Sequence, residues 1–170
     1  LIILTYNELE GSQFLFDEIP FKEVNETIVI DGGSVDGTID FFRKKKIRVI
    51  VQNEKGRGAA FRLAVKEAKG DCFVFFSPDG NEDPEDIPKL IKTIEQGYDM
   101  AIASRFIKGA HNEEDEVLLP WRALANRFFT FLANLLWNRQ EYITDTINGF
   151  RAVTKDAFNR MKIDATGFVI

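Results

Sequence analysis

Four short segments combine hydroxyls, carboxylates and glycines at spacings that could serve binding or catalysis: Thr5-Tyr6-Asn7-Glu8, Asp31 to Thr38, Gly56 to Ala60 and Ser77-Pro78-Asp79-Gly80-Asn81. In the last, a carboxylate such as Asp79 can hold Mg²⁺ or Mn²⁺, which would bridge diphosphate oxygens and neutralise the charge on a leaving group. The same residues also make a Pro-Asp-Gly turn with solvated acids behind it (Glu82, Asp83 and Asp86), and the segment alone does not choose between the two. In Asp31-Gly32-Gly33-Ser34-Val35-Asp36-Gly37-Thr38 the glycines let the backbone turn sharply and approach a ligand. Asp31 can accept hydrogen bonds there from a base or ribose. Gly56-Arg57-Gly58 places small residues and one cation where a helix starts, suited to close packing or to an anion. Asn7 suits the N-cap of the following helix, which leaves Tyr6 and Glu8 without a structural reason.

Such segments need a scaffold that brings them to one edge. β-Branched and apolar runs at Leu1–Leu4, Thr27–Ile30, Arg48–Val51, Cys72–Phe76 and Met100–Ala103 alternate with helical periodicity at Glu8–Ile19, Asp36–Lys45, Arg57–Ala68 and Glu85–Gln96. Pro84 stands near a helix start, and Gly70 and Gly97 just past helix ends. This is the pattern of βαβ units around a mainly parallel, Rossmann-like α/β sheet flanked by helices. Right-handed crossovers then place the strand C-termini, and the four segments, along one edge. Residues 108–119 read as a loop with Gly109, Asn112 and a surface His111. Trp121–Trp137 reads as an amphipathic helix whose apolar side includes Leu124, Phe128, Phe131, Leu132, Leu135 and Leu136. A core helix is the first reading, and a surface that touches lipid or a partner the second.

Composition narrows the function classes. A chain of 170 residues, 45% hydrophobic with 16 Phe, is long enough for one substantial core. The net charge of -5 argues against nucleic acid as a partner. Cys72, the lone cysteine, reads as a buried thiol. No run reaches the roughly 18–20 apolar residues of a membrane span. The chain opens inside a strand and stops at Phe168-Val169-Ile170. A single domain over 1–170, truncated at both ends, is therefore expected, with room for membrane segments beyond Ile170. Neither the G-x-G-x-x-G fingerprint nor a phosphate loop ending in Gly-Lys-Ser/Thr is present, which disfavours dehydrogenases and P-loop enzymes.

Taken together, the four segments resemble glycosyltransferase family 2, whose catalytic domains have the GT-A fold. Thr5-Tyr6-Asn7-Glu8 is similar to the family's opening motif, and Asp31 to Thr38 to its Asp-rich Gly-Ser loop. Thr144-Asp145-Thr146-Ile147-Asn148-Gly149-Phe150-Arg151, Ser104-Arg105-Phe106 and Trp121-Arg122 with Asn126 resemble the polyprenyl-phosphate sugar synthases of the dolichol-phosphate mannose synthase type.

The resemblance implies a hexosyltransferase that inverts the anomeric carbon. It would use a GDP- or UDP-linked sugar as donor and a polyprenyl phosphate as acceptor, and would work at the cytoplasmic side of a membrane, peripherally or tethered by segments outside this chain. Tyr6, Glu8 and Asp31 would contact the nucleoside, with Thr5, Gly33, Ser34 and Gly56 beside them. Asp79 and Asn81 would serve Mg²⁺ or Mn²⁺ and the diphosphate. Arg105, Arg122 and Arg151 would form the cationic site for phosphates, for which forked guanidinium donors suit. Were the acceptor a sugar hydroxyl instead, Asp145 would be the candidate base. A third reading is a nucleotide-sugar-binding domain without catalysis. Ser77 stands where the family commonly has the first Asp of Asp-x-Asp, leaving Asp79 as the matching carboxylate.

Overall fold

The computed structural model describes residues 1–106, 121–137, 142–161 and 163, the side chains of 121–123 and 137 excepted. The loop expected over 108–119, with His111, lies outside the described residues, as does the Arg122 side chain. The chain divides into two compact units, Leu1–Ala101 with the segment from Phe150, and Ile102–Gly149.

The sheet runs in the order β3-β2-β1-β4-β6-β5, from β1 (Ile2–Thr5), β2 (Ile28–Asp31), β3 (Arg48–Val51), β4 (Cys72–Phe76), β5 (Met100–Ile102) and β6 (Arg151–Thr154). Strands β1, β2 and β4 are buried along almost their whole length. They therefore read as unbroken apolar runs, as parallel strands covered on both faces do. Strand β3 is exposed at both ends, Arg48 and Val51, and half-buried between, with no fully buried position, as suits an edge strand. Parallel register sets Thr5 beside Asp31, and Asp31 beside Val51. The loops that follow these three strands leave from one edge. The chain builds β1, β2 and β3 outward in one direction and places β4 on the other side of β1. The crevice between these strand ends is where open α/β sheets bind ligands.

The parallel part of the sheet and its helices agree with the sequence reading. The helices are α1 (Leu9–Leu15), α2 (Thr38–Lys44), α3 (Arg57–Glu67), α4 (Asp86–Glu95), α5 (Trp121–Trp137) and α6 (Lys155–Met161). Three differences have physical causes. Helix α1 stops at Leu15 and passes into a 3₁₀ turn, Phe16–Glu18, ahead of Pro20, which cannot continue a helix. Strand β6 is an antiparallel insertion, with Phe75 opposite Arg151. Helix α6 follows it without a linker, and the hydroxyl of Thr154 accepts the Ala157 N–H at 3.2 Å as its cap.

The core lies between the sheet and the helices on its faces. Phe61 of α3 and Phe75 of β4 are 3% and 1% exposed, with ring centroids 4.2 Å apart. Each such buried ring contributes roughly 1.5–3 kcal/mol. Helix α1 packs so closely on the loop after β4 that a Cβ on Gly11 would lie 2.0 Å from the Pro78 carbonyl oxygen. Backbone cannot yield there as a side-chain tip can. Gly11→Ala is therefore expected to lower stability by about 2–3 kcal/mol, or roughly 4–12 °C in a thermal melt. A melt unchanged within about 1 °C would show that the two elements are not in contact.

In the second unit, α5 reverses the leading expectation. Leu124, Phe128, Phe131, Leu135 and Leu136 are more than half exposed, whereas Thr130 and Asn134 are 1% and 6% exposed. The helix turns its polar stripe inward. Asn134 donates to the Ile143 carbonyl at 2.7 Å and accepts the Ile143 N–H at 2.8 Å, replacing the backbone partners that Ile143 would find in a sheet. The core-helix reading is corrected in favour of an apolar face directed outward. Periodicity shows that a helix has two sides but not which side is covered.

Candidate functional site

The first unit carries a cavity of about 420 Å³ at the strand-end edge, lined by residues from all four segments. Thr5, Tyr6 and Glu8 follow β1, Gly32 follows β2, Gln52, Lys55, Gly56 and Arg57 follow β3, and Ser77 and Asp79 follow β4. Gln52 and Lys55 were not picked out from the sequence, although their place just after a strand end was the available signal.

Much of the conspicuous chemistry in the first two loops is spent on joining them. Asp31 is fully buried. One of its oxygens accepts the Gly33 and Ser34 N–H groups at 2.8 and 2.7 Å, and the other accepts the Thr5 and Ser34 hydroxyls at 2.7 Å each. A carboxylate offers about four lone-pair sites, and four donors occupy them. Asp31 therefore builds the loop. Ser34 goes further into the same network, since its hydroxyl also accepts the Asn7 N–H at 2.8 Å. Gly33 takes a φ of 94°, a conformation that favours glycine. Neither residue lines the cavity.

Asn7 does not cap its own helix. Its side-chain oxygen accepts the Val35 N–H at 2.9 Å. The first N–H groups of α1 are capped from the second loop instead, Glu8 to the Thr38 hydroxyl and Leu9 to Asp36, both at 3.0 Å. This clasp holds the start of α1 against the second loop. Tyr6 then lies over Gly32, where an added Cβ would come within 2.9 Å of the ring, and remains 60% exposed at the cavity.

Asp79 is exposed at the cavity and accepts the Asn81 N–H at 3.0 Å. Asn81 is exposed beside it but is not among the lining residues. Burial, and after it the Asp79 and Asp36 carboxylates, push the Glu8 carboxyl above its ordinary value. A divalent cation at Asp79 would relieve that crowding of like charge. Among the described residues no group of three acidic, His or Cys side chains could enclose an ion. The donor set therefore suits an ion held by one carboxylate plus ligand phosphates and water, the usual mode for Mg²⁺.

Glu82, one of the acids that the turn reading of this segment left solvated, is 8% exposed. Its carboxylate accepts the Ser77 N–H at 2.6 Å and lies 3.8 Å from the Arg57 guanidinium. Arg151 starts β6 opposite Phe75, near the end of β4, and does not line the cavity.

The remaining expected residues belong to the second unit. Asp145 is fully buried and accepts the Arg105 guanidinium through both oxygens, at 2.8 and 3.3 Å. It also accepts the Ile147 and Asn148 N–H groups. Burial alone would raise the Asp145 carboxyl, but the hydrogen bonds and charge of Arg105 outweigh it and hold the group below its ordinary value of 3.8. A carboxylate held in its charged form by Arg105 is a poor base. Because the folded value is depressed, its stabilisation is present above about pH 4 and is lost as pH falls through the folded value. Arg105→Gln would leave a buried charge unpaired and is expected to cost about 3–5 kcal/mol at pH 7. Without Arg105 burial raises the Asp145 carboxyl, so the deficit should shrink as pH falls from that raised value toward the depressed value of wild type. Melts at pH 7 and 3.5 test this, and a deficit independent of pH would contradict it.

A mostly parallel sheet with a crevice at the switch in strand order, walled by a Gly-Ser loop and an exposed aspartate, is the arrangement of the GT-A fold. The solved structure of glucosyl-3-phosphoglycerate synthase from Mycobacterium tuberculosis, in complex with Mn²⁺, UDP and phosphoglyceric acid, shares that fold. It matches with a TM-score of 0.68 at 21% identity over 91% of this chain and 55% of that one. Residues 1–162 match the model of glycosyl transferase family 2, and the chain belongs to that family. Dolichol-phosphate mannosyltransferase of Pyrococcus furiosus is 34% identical over 100% of this chain and 50% of its own. Polyprenol monophosphomannose synthase of Mycolicibacterium smegmatis is 27% identical over 97% of this chain and 64% of its own. The chain thus spans about half the length of the first relative and under two thirds of the second. The family and branch expected from the motifs are borne out.

Proposed function

We propose that this chain is the donor-binding catalytic domain of an inverting glycosyltransferase that moves a hexose from a GDP- or UDP-linked sugar to a polyprenyl phosphate. The observation that carries the reading is the cavity at the strand-end switch, where Tyr6, Gly32, Lys55, Gly56, Arg57 and Asp79 converge. Tyr6 offers a ring face to the nucleoside, and Lys55 and Arg57 offer charge to the phosphates. Asp79, with Asn81 beside it, would hold Mg²⁺ or Mn²⁺. When bound, that ion would neutralise the charge developing on the departing diphosphate.

An oxygen of the acceptor phosphate attacks the anomeric carbon from the face opposite the diphosphate. The old carbon–oxygen bond breaks, and its electron pair leaves with the nucleoside diphosphate. A phosphate oxygen is already anionic at neutral pH, so this acceptor needs no base. That suits a chain whose Asp145 is buried and ion-paired. Arg105, Arg122 and Arg151 remain the proposed cationic groups for the phosphates. The names of the relatives support the acceptor class, and the outward apolar face of α5 supports contact with a membrane surface. Among the described residues no helix is long and apolar enough to cross a membrane. The proposed site of action is the cytoplasmic side, reached peripherally or through segments outside this chain.

Calorimetric titration with UDP and GDP, each with and without Mn²⁺, tests the donor site. Metal-dependent binding of one nucleotide with a Kd in the micromolar range is expected. A folded chain that binds neither nucleotide under any of these conditions would overturn the reading.

A further inference from the structure

Glu82 is a buried carboxylate that faces two walls of the cavity without lining it. One oxygen accepts the Ser77 N–H at 2.6 Å, at the end of β4. The other lies 3.8 Å from the guanidinium of Arg57, the first residue of α3. Both partners line the cavity. Two features make this arrangement unusual. A carboxylate at 8% exposure carries a desolvation penalty of several kcal/mol that packing alone does not offset. Arg57 is a cation at the positive end of a helix dipole, where anions are favoured. Each group makes physical sense through the other, and Arg57 keeps enough exposure, 37% of its side chain, to present donors to a ligand.

We propose that Glu82 is a positioning residue: it orients the Arg57 fork toward the diphosphate of the bound nucleotide and fixes the Ser77 peptide at the rim beside Asp79. It ties the loop after β3 to the loop after β4, so that the cation and the metal-binding carboxylate approach the same phosphates from set positions. Glu82 itself touches no ligand. The contact at 3.8 Å is longer than a hydrogen bond, so Arg57 stays available to a phosphate oxygen while its direction is held by charge.

This inference rests on the donor-site reading above, and a double-mutant cycle separates the two. Calorimetry in Mn²⁺ measures the nucleoside diphosphate that wild type binds, and an NMR titration measures its parent nucleoside. Wild type, Glu82→Gln, Arg57→Gln and the double variant are compared. The glutamine oxygen at 82 can still accept the Ser77 N–H, so the substitution removes the charge and keeps that hydrogen bond. Glu82→Gln is expected to weaken the diphosphate about 5- to 20-fold, toward the lower end of what outright loss of a charged hydrogen bond to the phosphate would cost, and to leave the nucleoside within about 2-fold. In the Arg57→Gln background the same substitution should change diphosphate binding by less than about 2-fold. A loss equal for nucleoside and diphosphate, or one that persists without Arg57, would overturn the positioning role while the donor site stands. Wild type that binds neither UDP nor GDP would overturn both. Should Glu82→Gln fail to fold, Arg57→Lys keeps the charge without the fork. It is expected to weaken the diphosphate about 5-fold and spare the nucleoside, and unchanged diphosphate binding would overturn the proposal.

Discussion

Asp79→Ala is expected to abolish the metal dependence of nucleotide binding and to lower the transfer rate by at least about 100-fold, the scale on which loss of transition-state charge stabilisation is felt. The size follows from how little else is available. Ser77 brings a hydroxyl where an acidic residue would have supplied a second charge, and the Glu82 carboxylate is committed to Ser77 and Arg57. Among the described residues Asp79 is thus the one exposed carboxylate placed by β4 at the cavity. Its structural work is small by comparison. It accepts a single exposed N–H from Asn81 across a turn in which Gly80 has a φ of 88°. Losing that bond should cost no more than about 1 kcal/mol. A melt within a few degrees of wild type, together with loss of Mn²⁺-dependent binding, is the expected pair of results. Binding that keeps its full metal dependence in the variant would remove Asp79 from the site.

Asp31→Asn should behave in the opposite manner, as a large loss of stability with the ligand absent. The carboxylate accepts four hydrogen bonds from Thr5, Gly33 and Ser34 in a fully buried position. An amide offers one oxygen, and its NH₂ group would face donors that need an acceptor. Leaving these buried groups unpaired is expected to cost about 3–5 kcal/mol, or roughly 6–20 °C in the melt. Nucleotide affinity should fall as a consequence, because the clasp sets Tyr6 over Gly32. Were Asp31 instead a direct ligand to the base or ribose, Asp31→Asn would spare the melt and reduce affinity alone. The two measurements made on one variant decide between these roles.

The outward face of α5 and the cavity belong to separate compact units, and each yields its own measurement. Arg105 and Asp145 bear on the second unit through its stability as a function of pH, whereas Asp79, Asp31 and Glu82 bear on the first through binding and melts.

By itself the sequence determined the parallel core, the four strand-end segments and the family. All three are written in local terms: unbroken apolar runs for strands buried on both faces, helical periods between them, and Gly, Asp and Ser clusters where the chain must turn. Such signals extend a few residues along the chain, and they placed Thr5, Tyr6, Glu8, Gly56 and Asp79 at the site. Only the tertiary structure decided how polar groups distant in sequence divide between one another and the cavity. Asp31, Ser34 and Asn7 looked like ligand contacts or caps but bind across the clasp, over separations of up to 28 residues. Glu82, solvated in one reading of its segment, is buried against Ser77 and Arg57. Asp145 is matched to Arg105 from 40 residues away. Strand β6 enters the sheet antiparallel, and α5 turns its polar stripe inward. A carboxylate's role depends on what stands opposite it, and packing sets that neighbour rather than residue type or spacing.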